Sequence, residues 1–492
     1  MLVELEHSCS TRLDLLLDRV VDTGLKYLKD ADKKALERFG IFLKKDKKFM
    51  VRLRIPAGEL LAEQAMVIGE VSKLYAEDYL DFTVRQEIEL RYVALEDLST
   101  LLNKLADVGI STFQTGGVGI RNITTSIFNA IKGYGIVDVL PLIQQIEQGI
   151  IEREEYLAYL PNYLNVSFLG SCVNDCNLYG NDCAFAVTTR GDKIGFRLYL
   201  GGGDGAVARD TGLFIALDEV LYTFWVVVDL YSILAKKREQ LSTLLRRVGW
   251  QLFLRGLEKR LQKEPTLTDP LVHEPFPITL EPYGDALTLV ELSTPLGLFS
   301  GSALIEVATE ANSLEAKIRI SQEQSLYWVV SSKSVKQLKN SLIYRLYEPY
   351  GRTYFNHHIA STSQETVAFS SLPNKINALA MANFLEREVP LPKDAHVRIY
   401  WSSCAQGYGL HDIADIGLES WEMVDTKGVR DRRFNLYLGG KVTTQPRLGR
   451  LIAKGITFKE AQQQVKRFME RYRDYRYEAE SFEAFESRLL SV

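Results

Sequence analysis

Three cysteines lie within twelve residues of one another, and thiolates are ligands of zinc and of iron–sulfur clusters. Cys172, Cys176 and Cys183 form a Cys-x3-Cys-x6-Cys series, whereas Cys9 and Cys404 stand alone. The series lacks the two close cysteine pairs of a zinc signature. Its spacing therefore predicts a loose metal-binding loop. For Cys404, the alternative to a ligand role is a small buried side chain that fills space.

A second group of chemically useful side chains follows a period-two pattern. Between residues 83 and 92, polar side chains alternate with apolar ones, and the polar set is Thr83, Arg85, Glu87, Glu89 and Arg91. Alternate residues of a strand lie on the same face of a sheet. We therefore predict a strand whose polar face looks into a cavity.

The elements that carry these residues occur twice in the chain. Residues 51–93 read as strand, turn, helix and strand, and the same order returns weakly from Val290, with Pro295 and Gly297 matching Pro56 and Gly58. The segment from Cys172 to the glycine turn at 201–203 likewise parallels the segment from Cys404 to Lys441. Repetition at this scale predicts two copies of one structural unit.

Length, charge and hydropathy argue against nucleic-acid-binding, membrane-spanning and secreted proteins. A chain of 492 residues exceeds what one hydrophobic core supports, and a net charge of −4 gives no broad basic surface, so we expect no nucleic acid partner. The apolar stretch 213–234 is divided by three acidic residues, so it predicts no membrane span. The first residues do not read as a secretory signal, and the expected location is cytoplasmic.

The order of motifs along the chain resembles the ferredoxin-dependent assimilatory nitrite and sulfite reductases. The matching motifs run from about Lys48 to Lys441 and are KFMVRLRIPAGEL, DFTVRQEIELRYV, GISTFQTGGVGIRNITT, the Leu-Pro strand at Leu160, DIADIGL and NLYLGGK. In that family, two ferredoxin-like half domains and two α/β domains surround a siroheme, whose iron shares a cysteine thiolate with a 4Fe-4S cluster. The resemblance implies an α/β fold of this duplicated architecture around a central cavity.

This architecture sets the domain boundaries that we predict. They are an N-terminal extension 1–47, half domains 48–110 and 283–345, α/β domains 111–265 and 346–457, and a charged, solvated C-terminal helix 458–492. A basic amphipathic stretch and several prolines between the halves predict a connection near residues 265–282.

The resemblance also implies a site. Arg85 and Gln86 stand in the family's T-x-R-Q strand, and Arg121 and Asn122 in its R-N-I turn, where the arginines contact the macrocycle or the substrate. Siroheme carries eight carboxylates, so a site that buries it must supply fixed cations. The residues that we predict to be catalytic are Arg85, Arg121 and Tyr163, and those predicted to bind the cofactor are Arg85, Gln86, Arg121, Asn122, Cys404 and Gln406.

This chain departs from the family in the cysteines that bind the cluster and in the lysine of the family's LPRK motif, which donates protons. Phe369 and Lys375 stand where the family has Cys-x5-Cys, and Tyr400 replaces one member of the following Cys-x3-Cys, so only Cys404 remains. Since a 4Fe-4S cluster needs four thiolates, we expect no conventional cluster there. The family's LPRK lysine is also absent, because LPNYLN places the uncharged Tyr163 in that motif.

Three functions remain open at this point. The favoured one is a divergent homologue that binds siroheme, a related tetrapyrrole or a small anion, with Cys404 as axial ligand and without full six-electron reduction. The second is an active reductase whose rearranged cluster ligands include Cys172, Cys176 and Cys183 and whose electrons come from a ferredoxin. The third is an assembly or interaction protein with a vestigial pocket.

The histidines point to less chemistry than the cysteines, although His411 follows the inserted residues near Cys404, within reach of the cavity. His357 and His358 adjoin each other, and adjacent side chains diverge, so a site shared by the two is not expected. We expect surface or capping roles for these two residues and for His411.

Overall fold

The computed structural model describes residues 13, 16–22, 24–44, 46–272, 286–349, 353–361, 373–392, 394–403, 410–424, 430–441 and 446–490. Cys9, Phe369, Cys404 and Gln406 lie outside these ranges. The predicted roles of Cys404 and Gln406 are therefore not addressed by the structure.

The first repeat unit is a small sheet covered by helices. Its elements in chain order are α1 (Asp30–Arg38), β1 (Ile41–Leu43), β2 (Phe49–Leu53), β3 (Glu59–Leu60), α2 (Ala62–Tyr75), β4 (Leu80–Phe82), β5 (Ile88–Val93) and α3 (Leu98–Asp107). Strands β1, β2, β5 and β4 are neighbours in one antiparallel sheet. Apolar residues at helical spacing, among them Ala65 and Ile68, bury one face of α2.

The first α/β domain continues the chain. Its strands are β6 (Gly119–Ile120), β7 (Thr124–Thr125), β8 (Tyr163–Leu164), β9 (Val166–Leu169), β10 (Cys183–Arg190), β11 (Lys193–Leu200), β12 (Arg209–Ala216) and β13 (Asp269–Pro270). Its helices are α4 (Leu140–Glu152), α5 (Glu154–Leu157), α6 (Val220–Leu234), α7 (Leu241–Val248) and α8 (Trp250–Leu261). In the main sheet, β7, β9 and β10 are parallel, and β11 and β12 follow as antiparallel strands.

The second repeat unit returns to the first arrangement. Its elements are β14 (Leu287–Leu292), β15 (Leu298–Phe299), α9 (Gly301–Ser313), β16 (Lys317–Ile320), β17 (Leu326–Ser331), α10 (Val335–Asn340) and α11 (Leu342–Tyr347). The predicted order of strand, turn, helix and strand is confirmed in both copies.

The second α/β domain repeats the topology of the first. Its elements are α12 (Thr353–Asn356), β18 (His358–Ala360), α13 (Pro373–Glu388), β19 (Ile399–Ser402), β20 (Ile416–Val424), β21 (Arg430–Leu438), β22 (Arg450–Ile456), α14 (Phe458–Tyr475) and α15 (Phe482–Leu490). Here β18, β19 and β20 are parallel, and β21 and β22 follow antiparallel, as in the first domain. The predicted duplication therefore extends to the larger domains.

The two repeat units exchange short strands. Strand β3 of the first unit pairs with β16 of the second, and β15 of the second pairs with β4 of the first. Buried apolar residues of both units form one continuous hydrophobic core, whereas each α/β domain has a main core of its own. The repeat units are thus two halves of a single packed body.

Glycines permit the close approach of the two repeat units. Gly58 has φ +66°, and a Cβ atom there would lie 2.6 Å from the carbonyl oxygen of Ile320. Helices α2 and α9 meet at Gly69 and Gly301, where a Cβ on Gly69 would lie 2.7 Å from the Gly301 carbonyl oxygen. The matched glycine at 297 also has a positive φ, of +74°, which explains why both copies keep this residue type.

The polar strand predicted over residues 83–92 begins later than expected. A turn occupies its first half, with the Thr83 amide donating to the Glu87 carbonyl at 3.0 Å, and β5 starts only at Ile88. The reason is local, because residues 83–87 close a tight turn in which Gln86 adopts φ +58°, outside the β region.

The solvated C-terminal helix was also predicted wrongly. The segment forms two helices, and α14 buries Ala461, Val465, Met469 and Tyr472 against the core of the second α/β domain. These residues recur at helical spacing, so the charged helix still has an apolar stripe.

The sequence predicts that residues 213–234 do not span a membrane, and the described helices can be compared with that prediction. All of them fall short of the combined length and apolarity that a bilayer crossing requires. The stretch 213–234 is divided between the end of β12 and helix α6.

Candidate ligand-binding cavity

A cavity of about 720 Å³ lies where the four units meet. The first repeat unit lines it with Arg85, the first α/β domain with Tyr163, the second repeat unit with Gln322, and the second α/β domain with Lys375 and Asp412. This volume is within the range of about 300–1,000 Å³ that is typical of small-molecule and cofactor sites. The predicted central cavity is therefore present.

The polar face predicted from the sequence does line this cavity. All five of its members contribute to the wall, namely Thr83, Arg85, Glu87, Glu89 and Arg91. The prediction of a polar face is confirmed even though a turn replaces half of the strand.

The turn that carries Arg85 is held by its neighbours. The Thr83 hydroxyl accepts hydrogen bonds from the backbone amides of Arg85 (3.1 Å) and Glu87 (3.2 Å). The Gln86 side-chain amide donates to the carbonyls of Thr125 (3.0 Å) and Ile320 (2.8 Å). The Asn122 amide donates to the Arg85 carbonyl at 2.9 Å.

Gln86 and Asn122 were predicted to bind the cofactor, but neither lines the cavity. Both side chains are buried behind its wall, where they use their amides on backbone carbonyls. Their role in this structure is to position Arg85. The T-x-R-Q and R-N-I motifs thus contribute one wall arginine each, and their amide residues support the wall from behind.

Arg85 carries a partly buried positive charge in the wall. Its guanidinium donates only to neutral oxygens in the described contacts, those of Asn181 Oδ1 (2.5 Å), the Asn122 carbonyl (2.7 Å) and the Val166 carbonyl (2.9 Å). Burial lowers the pKa of Arg85 to about 10, and the nearby charges of Glu87 and Asp182 oppose that shift. Within the described residues, Arg85 Nε is buried without a hydrogen-bond partner. An anion beside it would therefore be stabilised.

Arg121 and Tyr163 lie together in the same cavity. The parallel pairing of β6 with β8 places Gly119 opposite Tyr163. The Arg121 guanidinium lies 4.9 Å from the centre of the Tyr163 ring and donates to the Gly117 carbonyl at 2.9 Å. The structure thus brings together the three residues that were predicted to be catalytic.

Other cations of the wall are already paired with carboxylates. Arg52 binds Glu89 at 2.8 Å, and Arg91 contacts the same carboxylate. Although burial acts to raise it, the charges of Arg91 and Arg52 lower the pKa of Glu89 to about 2. These pairs neutralise part of the wall, whereas the guanidinium groups of Arg85 and Arg121 donate to neutral oxygens in the described contacts.

Lys375 occupies a position where the resemblance expects a cluster cysteine. Its ammonium contacts the carboxylate of Asp81 and the carbonyl of Leu296, and both Lys375 and Asp81 are almost fully buried. Tyr400, at another such position, donates its hydroxyl to Glu323 Oε1 at 3.0 Å. Both side chains are engaged in polar contacts that connect the second α/β domain to the repeat units.

The structure does not bring the cysteines at 172, 176 and 183 together. They pack in three different hydrophobic clusters, and Cys183 is the first residue of β10. Burial raises the pKa of Cys176 to about 12, with the Asp175 charge adding to the shift, so its thiol stays protonated. The prediction of a shared thiolate site gains no support from this geometry.

The histidines are arranged differently from the prediction. His358 and His411 are buried, not at the surface, because His358 begins β18 and contacts Trp401, and His411 packs on the Tyr437 ring. His357 does diverge from His358, as expected. It contacts His396 instead, with ring centres 4.0 Å apart.

The charges of the cavity test whether siroheme fits. Among the described lining residues, seven are acidic and six are basic: Glu37, Asp81, Glu87, Glu89, Asp182, Asp204 and Asp412 against Lys44, Arg52, Arg85, Arg91, Arg121 and Lys375. Residues 362–372 and 404–409, which adjoin lining residues in sequence, contain no lysine or arginine, whereas Lys45, which adjoins Lys44, adds one cation. A ring with eight ionised carboxylates requires an excess of cations. Burial raises the pKa of four of these acidic residues, Asp81, Glu87, Asp182 and Asp412, which lowers the negative charge of the wall. Arg85 and Arg121 would bind carboxylates of a siroheme placed there.

Comparison with known proteins gives two family matches. Residues 42–108 match the family described as nitrite/sulfite reductase ferredoxin-like half domain, and residues 116–265 match the nitrite and sulphite reductase 4Fe-4S domain.

Individual relatives match over most of the chain. It is 26% identical to a ferredoxin–nitrite reductase of Leptolyngbya laminosa, covering 83% of each protein. It is 25% identical to the chloroplastic ferredoxin–nitrite reductase of Arabidopsis thaliana, covering 84% of this chain and 74% of that protein. The structure of the Mycobacterium tuberculosis NirA protein superposes with a TM-score of 0.86 at 21% identity, covering 99% of this chain and 95% of that one, which establishes the shared fold.

Proposed function

Because the chain belongs to the siroheme-dependent nitrite and sulfite reductase family, we propose that it is a divergent member whose cavity binds an anionic ligand without full six-electron reduction. The ligand is siroheme, a related tetrapyrrole or a small anion. Arg85 and Arg121 hold its negative charge.

The observation that carries this proposal is the buried ion pair between Lys375 and Asp81. A 4Fe-4S cluster is held by four thiolates, and at this position an ammonium is bound to a carboxylate of the first repeat unit. Breaking a buried pair costs about 3–5 kcal/mol, so a cluster that displaced Lys375 from Asp81 would destabilise the fold. The pair therefore supports a site without the conventional cluster.

The cavity wall supports anion binding more than anion reduction. Arg85 offers a partly buried guanidinium whose buried Nε–H has no hydrogen-bond partner among the described residues, and a charge-assisted hydrogen bond to an anion would satisfy it. Asn162, Tyr163 and Asn165 line the wall in the segment where the family has its lysine, and all three are uncharged at neutral pH. This segment can position a ligand by hydrogen bonding but adds no positive charge.

The competing function is active, ferredoxin-dependent reduction, which the names of the relatives favour. In that case ferredoxin would be the electron donor of this chain as well. It would require four thiolates at one place, and the three described cysteines lie in separate hydrophobic clusters. We therefore place active reduction second.

Anaerobic purification from a host that makes siroheme separates the two functions. We expect no cluster-like ratio of four irons and four sulfides per chain, and no nitrite- or sulfite-dependent oxidation of reduced methyl viologen. An assembled cluster together with turnover would overturn the proposal. A visible absorption spectrum decides whether a tetrapyrrole is bound.

Anion binding is tested by calorimetric titration of the purified chain with nitrite, sulfite and phosphate. We expect at least one of these anions to bind to the wild type and to lose affinity in Arg85→Gln. The matched control is Arg197→Gln, because Arg197 pairs with Asp210 at 2.7 Å and does not line the cavity. If no anion binds and no tetrapyrrole copurifies, the binding function is wrong.

A further inference from the structure

We propose that Glu323, His357 and His396 form a mononuclear site for a divalent transition metal of the Zn²⁺ type, separate from the central cavity. One ligand atom from each residue lies within 4.8 Å of the others. Within the described part of the chain, this is the one group of three or more histidine, cysteine or acidic residues that is close enough to share an ion.

The fold brings these three residues together from distant parts of the sequence. Glu323 lies in the turn between β16 and β17, His357 directly precedes β18, and His396 lies just before β19. Strands β18 and β19 pair in parallel, and the Ile399 amide donates to the His357 carbonyl at 3.1 Å. The N-terminal ends of β18 and β19 thus lie beside the turn between β16 and β17 of the second repeat unit.

Two imidazole nitrogens and one carboxylate oxygen are a ligand set of open zinc sites, in which water or a substrate takes the fourth position. Tetrahedral zinc with bonds of about 2.0–2.1 Å holds its ligand atoms about 3.4 Å apart. His357 Nδ1 already lies 2.6 Å from Glu323 Oε2. These two atoms must therefore move apart by about 0.8 Å to admit an ion.

The surroundings favour a cation and orient its ligands. The Tyr400 hydroxyl donates to Glu323 Oε1 at 3.0 Å, the kind of outer contact that fixes a ligating carboxylate. Arg398 is also nearby, but it binds Asp415 at 2.7 Å and Glu483 at 2.9 Å, so its charge is compensated. The His357 and Glu323 side chains are 22% and 18% exposed, which leaves a route for an ion.

The ion pair involves only Glu323 and His357. A second imidazole, that of His396, lies 4.0 Å from the first between ring centres and supplies the third ligand. A metal ion accounts for all three side chains and for the orientation of Glu323 by Tyr400. The proposal does not depend on what the central cavity binds.

The test is titration of the full-length chain, stripped of metal with EDTA, with Co²⁺ and Zn²⁺. We expect one ion per chain and the visible absorption of four- or five-coordinate Co²⁺. Glu323→Gln and His396→Gln should each weaken binding more than about 100-fold, and Tyr400→Phe about 10-fold, as for outer partners of a metal ligand. The matched control His411→Gln should bind as the wild type does.

The opposite results overturn the proposal. These are no bound Co²⁺ or Zn²⁺ at micromolar concentrations, or unchanged affinity in Glu323→Gln and His396→Gln. Circular dichroism checks that each variant is folded. Where a variant fails to fold, electron paramagnetic resonance of the Cu²⁺-loaded wild type decides, because a site without coupling to imidazole nitrogens contradicts the ligand assignment.

Discussion

The turns at residues 83–87 and 321–325 occupy equivalent places in the two repeat units and share their backbone geometry. In each, the first amide donates to the last carbonyl, at 3.0 Å in the first turn and 2.8 Å in the second. The fourth residue is a glutamine with positive φ, +58° at Gln86 and +63° at Gln324. The third residue differs in charge, because Arg85 in the first turn corresponds to Glu323 in the second.

The two glutamines explain how the turns could diverge in chemistry while keeping their shape. The Gln86 amide donates to the Ile320 carbonyl at 2.8 Å, and the Gln324 amide donates to the Phe82 carbonyl at 2.7 Å, so each turn is tied to the other unit. Because these bonds hold the backbone, the shape of the turn does not depend on the charge of the third side chain. One copy presents a cation to the cavity, and the other presents an anion to two histidines.

The residues two positions before the turns also carry opposite charges. Asp81 stands two residues before the first turn and is paired with Lys375, whereas the equivalent Arg319 is paired with Glu59 at 2.7 Å. Both pairs are buried. The first pair joins the repeat units to an α/β domain, and the second joins the two repeat units to each other.

The largest expected effect is that of breaking the first of these pairs. Lys375→Met leaves the Asp81 carboxylate buried without its ammonium, so the free energy of unfolding should fall by about 3–5 kcal/mol. Urea unfolding measures the loss. In the exposed pair of Lys33 with Asp30, Lys33→Met should change stability by less than about 1 kcal/mol. Equal effects of the two substitutions would contradict the assigned importance of the buried pair.

Because the two turns are equivalent, replacing either glutamine should lower the stability of the fold by a similar amount. Gln86→Ala and Gln324→Ala each leave buried backbone groups without hydrogen-bond partners, so each should lower the free energy of unfolding by about 1–3 kcal/mol. Gln148→Ala on the exposed side of α4 is the control and should be nearly neutral. A loss in only one of the two glutamine variants would show that the turns are not held alike.

Because the third residue is Arg85 in the first turn and Glu323 in the second, we expect only the first turn to contribute to anion binding. Arg85→Gln removes charge-assisted hydrogen bonds and should weaken binding of the anion identified by calorimetry by about 1.5–3 kcal/mol, or roughly 10–100-fold. Glu323→Gln in the second turn should leave anion affinity unchanged. If both variants weaken binding equally, the proposed division between the turns is wrong.

The smallest expected effect concerns pH. Burial raises the pKa of Asp182 to about 7, and this carboxyl lines the cavity beside Arg85. As pH falls through 7 the group becomes neutral, repulsion of a bound anion ceases, and affinity should rise by about 1 kcal/mol, or roughly fivefold. Calorimetry from pH 8 to pH 6 measures the rise. The same rise in Asp182→Asn would contradict this assignment.

The fold was accessible from the sequence because its evidence is spread along the whole chain. The matched Pro56 and Pro295 revealed the duplication, and both copies form the same turn. The polar wall of the cavity could be predicted from the sequence for a different reason. Residues 83, 85, 87, 89 and 91 keep a period-two order through the turn, so the side chains reach one cavity although the backbone is not one strand.

The candidate sites were less accessible, because side-chain direction and distant contacts decide them. The spacing of three cysteines gave no sign that Cys183 would enter β10 and turn into a hydrophobic core. Conversely, His357 and His396 are far apart in sequence and meet only because β18 and β19 pair in parallel. A search for histidines that precede predicted neighbouring strands would have found them.

The strand exchange between the repeat units has a consequence for biosynthesis. The edge of β4 is completed only by Leu298 and Phe299, so a nascent chain carries an incomplete sheet until more than 200 further residues have been translated. An unpaired strand edge is a template for association with other chains. Ribosome-bound intermediates of this protein should therefore be clients for chaperones that shield exposed edges until the second unit emerges.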